Sequence, residues 1–96
     1  MSSDLNGPVA REIDQRLRDA LAPTSLAVIN DSARHHGHAG DDGSGESHFT
    51  VEIEAPAFVG MNRLERQRAV NAAVGDMMRE RVHALAIKAW APGEGG

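Results

Sequence analysis

His48-Phe49-Thr50-Val51-Glu52-Ile53-Glu54 alternates without a break, with Phe49, Val51 and Ile53 on one side and His48, Thr50, Glu52 and Glu54 on the other. A period of two marks a β-strand with one covered and one wet face. Such a strand needs neighbours along its edges and an apolar layer over its covered face. Upstream, Ser25-Leu26-Ala27-Val28-Ile29-Asn30 is short, apolar and β-prone. Downstream, Val82 to Ala91 puts Leu85, Ile87 and Ala89 on one side and reads as a third strand, ended by Pro92.

The covering layer comes from two helical patterns. Val9, Ile13, Leu17 and Leu21 recur at every fourth position, opened by Pro8 behind Asn6 or Gly7 as cap and closed before Pro23. Asn62 followed by Glu65 resembles a capping box and opens a helix to about Glu80, with Val70, Ala73, Val74 and Met77 as its buried stripe. Gly75 weakens that helix slightly. Pro56 to Gly60 forms a turn with one helical turn that carries Phe58. Asp31 to Glu46 holds four glycines and three histidines with almost no apolar side chain, so it reads as an exposed loop. The order helix, strand, strand, helix, strand predicts an α+β domain of two layers, a three-stranded sheet with helices on one face.

Length and composition bound the rest. At 96 residues the chain has room for a single small core. Residues 1–7 are expected to be a flexible N-terminus, 8–92 the domain, and 93–96 a flexible tail. No run of about 18 apolar residues exists to span a membrane. No basic segment followed by an apolar one opens the chain, so a cytoplasmic protein is expected. Cysteine is absent, which excludes disulfides, thiol nucleophiles and any iron–sulfur centre ligated by this chain's own sulfur. No nucleophile–base–orienter set is visible either. Asp41, Asp42, Glu52 and Glu54 read as solvated loop and strand residues, and the chain is not expected to be an enzyme.

Charge divides the chain unevenly. Residues 1–56 carry four arginines against ten acids, and residues 57–91 carry six bases against three acids. The net charge of −4 argues against a general nucleic-acid binder and leaves room for a local basic patch. Arg63, Arg66 and Arg68 would form that patch in a helix-turn-helix-like segment, residues 58–80, meeting phosphates, base edges or a partner's carboxylates. The turn reads Gly60-Met61-Asn62-Arg63 and lacks the second glycine of an RNA-clamping Gly-x-x-Gly loop. Phe49 and Phe58 belong to the core, leaving Trp90 for base stacking.

Three runs carry a family resemblance: Asp31-Ser32 to His35 with Glu46-Ser47-His48-Phe49, then Phe58-Val59-Gly60 with Arg66-Gln67-Arg68, then Val82-His83-Ala84-Leu85-Ala86-Ile87. In that order and spacing the chain closely resembles the BolA family, over about residues 9–92. The resemblance implies a class II KH-like fold, αββααβ. It also implies a monothiol glutaredoxin as partner and a glutathione-dependent [2Fe-2S] cluster shared with it, in iron–sulfur trafficking or iron homeostasis. DNA-binding transcription regulation is the alternative role. Two departures stand out: Gln67 replaces the middle histidine of the family's Arg-His-Arg, and Pro92-Gly93-Glu94-Gly95-Gly96 stands where the family often continues into a helix.

Within that resemblance His83 matches the family's C-terminal cluster ligand, and His35 matches the loop histidine of the branch that uses His rather than Cys. His38 competes with His35, because Gly37 lets the loop curl either imidazole inward; His36 ranks third. His48 reads as structural, on the wet side of its strand. A neutral imidazole is a sound ligand for iron when its other nitrogen is held. This chain can offer only imidazoles, so a cluster must be completed by outside thiolates, and none is expected on the isolated chain. Binding through histidines should weaken as pH falls through the imidazole range, near ~6.5.

Overall fold

The computed structural model describes residue 5 and residues 7–31, 48–82 and 84–94. The alternating stretch is a strand, β2 (His48–Glu54), and its burial alternates with its sequence: Phe49, Val51 and Ile53 are sealed from solvent. It lies at the centre of a three-stranded mixed sheet. β1 (Ser25–Asn30) pairs with it antiparallel, from Ser25 opposite Glu54 to Asn30 opposite Phe49. β3 (Ala84–Trp90) pairs with it in parallel, from Ala84 opposite His48 to Trp90 opposite Glu54.

The parallel step needs a crossover, and α2 (Arg63–Val74) with α3 (Met77–Glu80) supply it. A single 3-10 turn, Pro56–Phe58, leads into α2 and buries Phe58 completely. The first helix, α1 (Pro8–Leu21), starts with Pro8 in its first turn and buries Val9, Ala10, Ile13 and Leu17. α1 packs on β1 and α2, and α2 packs on β3. Their apolar stripes meet Leu26, Val28, Phe49, Val51 and Ile53 in one core. The αββααβ order is the one the family resemblance implies, and the three-stranded sheet with helices on one face is the one the periodicity predicts.

Three details differ from the sequence reading. The helix expected from Asn62 to about Glu80 is two helices, broken at Gly75 (φ +58°). That break is fastened from outside: Arg16 Nη1 donates to the carbonyl of Val74 at 2.6 Å. Met77 still reaches the core, now from α3. The third strand is shorter than Val82–Ala91. Val82 and Ala91 are apolar because they are buried beside the strand's ends, with Val82 N–H bonded to the Met77 carbonyl.

Glu52 and Glu54 depart from the solvated residues expected. Glu54 accepts from Thr24 Oγ1 at 2.6 Å and Trp90 Nε1 at 2.9 Å, bridging the sheet's outer face. These bonds, Thr24 first and Trp90 second, hold its carboxyl below the usual range. The Glu52 side chain is only 13% exposed, with Lys88 Nζ 3.8 Å from Oε2. Its Oε1 is buried without a hydrogen-bond donor among the described residues. Asp41 and Asp42 lie outside the described residues. Among the described residues no helix is long and apolar enough to cross a membrane.

Candidate functional site

His83, His35 and His38, the expected ligands, lie outside the described residues, as does His36. The framework to which their segments attach is described. The N–H of Asp31 donates to the carbonyl of His48 at 2.7 Å, closing the β1–β2 pair where the chain leaves β1 and re-enters β2. The parallel register sets Ala84 opposite His48. The points where the loop segment leaves and returns, and the first residue after position 83, therefore share one end of the sheet. His48 is half-buried on the outer face. Among the described residues no three His, Cys, Asp or Glu side chains are grouped to hold a metal ion.

The three arginines of α2 have separate placements. Arg63 and Arg68 are exposed. Arg66 turns inward, with its side chain 14% exposed. Its Nε donates to the Met61 carbonyl at 2.9 Å, and Nη2 donates to the Phe58 carbonyl at 3.1 Å. Nη1 lies 3.4 Å from the Ala89 carbonyl. The Glu94 carboxylate closes the set from the chain's end, taking bonds of 2.6 and 2.9 Å from the two terminal nitrogens. Glu94 Oε1 also accepts from the Ala91 N–H at 2.9 Å. The Arg66 bonds, with the Ala91 N–H second, hold the Glu94 carboxyl far down, at about 2. Arg66 is thus a clamp joining the 3-10 turn, α2, β3 and the last turn of the chain.

Beside the clamp runs a groove between α2 and β3. Two adjoining hollows of about 430 Å³ each compose it, and both are lined by Arg63, Gln67, Ile87 and Lys88. Asn71 and Leu85 extend it at one end, Trp90 and Glu94 at the other. Arg63, Gln67 and Asn71 are spaced four apart and form one stripe of α2. Gln67, which replaces the family's histidine, therefore faces β3 across an open hollow.

A family model described as BolA-like protein matches residues 17–94. The chain belongs to the BolA family. It is 46% identical over 83 residues to "Uncharacterized protein in cobS 5'region" of Sinorhizobium sp., covering 85% of this chain and 89% of that one. It is 37% identical over 75 residues to "DNA-binding transcriptional regulator BolA" of Vibrio cholerae, covering 78% of this chain and 67% of that one. Among solved structures, the BolA domain of SufE1 from Arabidopsis thaliana superposes with a TM-score of 0.82 at 34% identity, covering 93% of this chain and 98% of that one.

In this BolA-family chain the clamp is the feature that sequence reasoning missed. Arg66 reads as one of three surface arginines, and Glu94 as part of a loose tail. They stand 28 residues apart, and no local period connects them. The one available sign is Pro92-Gly93, a turn that can bring Glu94 back toward the strand it follows.

Proposed function

We propose that this chain is a non-enzymatic adaptor that binds a monothiol glutaredoxin. It supplies His83, with His35 or His38, as ligands to a [2Fe-2S] cluster shared with that partner and glutathione. The observation that carries this reading is a BolA-family chain with five histidines and no cysteine. Its residues suit only the imidazole half of a cluster, and thiolates from another molecule suit the other half. The framework supports the pairing of segments, because Asp31, His48 and Ala84 gather at one end of the sheet.

Reconstitution with glutaredoxin, glutathione, iron and sulfide tests partner, cofactor and ligands together. A coloured heterodimer is expected, with a colourless product when the glutaredoxin is left out. His83→Ala should alter its visible absorption and circular dichroism; unchanged spectra remove the ligand assignment.

A second reading, DNA binding in transcription regulation, draws on the name of the Vibrio cholerae relative and on the exposed Arg63 and Arg68. Arg66 is committed to the clamp, so its replacement confounds binding with folding. Anisotropy with duplex DNA across a salt series should separate the readings. Sequence-dependent binding that falls with Arg63→Ala and Arg68→Ala supports DNA, while weak binding insensitive to sequence counts against it.

A further inference from the structure

β3 is an edge strand, and among the described residues its outer edge is open. The sheet order is β1-β2-β3, so β3 has one strand neighbour among the described residues. Which backbone groups face outward follows from the bonds at the strand's end. The Ala55 N–H donates to the Trp90 carbonyl, so Trp90 turns its peptide groups toward β2. Alternation then turns those of Lys88, Ala86 and Ala84 the same way, and those of Leu85, Ile87 and Ala89 outward. The contact of Arg66 with the Ala89 carbonyl agrees and covers one end of the edge. Among the described residues nothing pairs with the outward groups of Leu85 or Ile87.

Edge strands are ordinarily guarded by lysine, proline, a bulge, shortness or inward charge, and the one such guard on β3 among the described residues is Lys88. β3 has seven residues in unbroken register with β2, without proline, and its inward side chains are Leu85, Ile87 and Ala89. They are half-buried although they belong to the covered face. α2 leaves them partly open because the stripe it turns past them is polar: Arg63, Gln67 and Asn71. Open backbone, an apolar floor and a polar far wall make a slot one strand wide.

The charge of the slot indicates what enters it. Arg63 stands on the helix side, and Lys88, whose side chain is 69% exposed, on the strand side. Glu94 is the lining carboxylate, and Arg66 neutralises it. Arg63 has no carboxylate partner among the described residues, and Lys88 meets a single oxygen of Glu52, at 3.8 Å, so both cations can take a further carboxylate on a chain of net charge −4. We infer that this groove is a docking surface for an extended, acidic segment of a partner protein, which adds to β3 as a fourth strand. Its backbone pairs with Leu85 and Ile87. Its carboxylates meet Arg63 on one face and Lys88 on the other, the alternation any strand presents. A polynucleotide fits less well. The sugar–phosphate backbone of DNA has no donors to match the carbonyls, and Trp90, the lining aromatic, is tethered through Nε1 to Glu54. The surface uses none of the histidines, so its test stands apart from that of the cluster.

The full chain is titrated against fluorescein-labelled (Glu-Glu-Val)4, whose carboxylates fall on both faces of a strand, (Lys-Lys-Val)4, a fully N-methylated (Glu-Glu-Val)4 and the oligonucleotide dT12. Anisotropy and amide hydrogen exchange are followed together. Saturable binding of unmethylated (Glu-Glu-Val)4 alone is expected, with slowed exchange at Leu85 and Ile87. The double variant Arg63→Glu/Lys88→Gln, which leaves an amide beside Glu52, should weaken that binding about tenfold or more. Four results overturn the proposal: equal binding of the N-methylated peptide, binding without protection of Leu85 and Ile87, tighter binding of dT12, or no binding at all. A doubled mass with protected Leu85 and Ile87 in the free protein also overturns it, since the edge then belongs to a second copy.

Discussion

Arg66 shows how far a residue's role depends on where its helix puts it. Three arginines in six positions look equivalent in sequence, but only Arg66 finds three backbone carbonyls and a carboxylate. Glu94 reports on that clamp through pH. Its folded pKa, about 2, lies below the ordinary 4.5, so its stabilising effect is fully present above the ordinary value. That effect is lost as pH falls from there toward the folded value. Glu94→Gln should therefore lower the melting temperature at pH 7, and the gap from the parent protein should close between those two values. A gap that persists unchanged at pH 2 means that the ion pair is not its source. Phe58 makes the apolar contribution at the same place, buried with Arg66 6.0 Å from its ring centroid. Phe58→Ala should cost about 3–5 kcal/mol in denaturant unfolding, because a cavity replaces a filled site.

At the scale of elements, α2 is set by its two ends more than by an apolar face. Val70 and Val74 are its buried residues, so caps and fastenings carry weight. The Glu65 N–H bonds to Asn62 Oδ1 and the Asn62 N–H to Glu65 Oε1, both at 2.8 Å, as the spacing in the sequence predicts. Asn62→Ala should cost about 1 kcal/mol, read from the denaturant midpoint. The other end was illegible. Gly75 looks like a mild helix weakener, yet it takes a φ of +58° and ends the helix. A Cβ there would lie 3.4 Å from Arg16 Nη1, the group that caps Val74. Gly75→Ala, which would merely strengthen an unbroken helix, should instead destabilise by about 1–3 kcal/mol, because a residue with a Cβ rarely adopts this φ/ψ pair. A stabilised variant shows that the break is not required.

For the whole molecule, charge is arranged locally although the total is acidic. Arg63 and Lys88 flank one groove, while Glu52 and Glu54 lie on the sheet's outer face. Binding of an acidic ligand to the groove should therefore weaken with salt, since exposed charges are screened beyond about 10 Å at 0.1 M. Affinity that is flat from low to high salt would rule out a charge-selected partner.

The alternation from His48 to Glu54, the four-residue spacing of Val9 to Leu21 and the Asn62–Glu65 pair were readable from the sequence alone. Strand and helix periods are local and repeat every few residues, so they set the elements and the covered face. The ordered motifs set the family as well. Tertiary structure decided what no local period encodes. It turned Arg66 inward onto Glu94, ended α2 beside Arg16, drew Glu54 between Thr24 and Trp90, and, among the described residues, left one edge of β3 open beside a polar stripe. Each of these joins segments far apart in the chain, and such neighbours come into reach only when the sheet and its helices have closed.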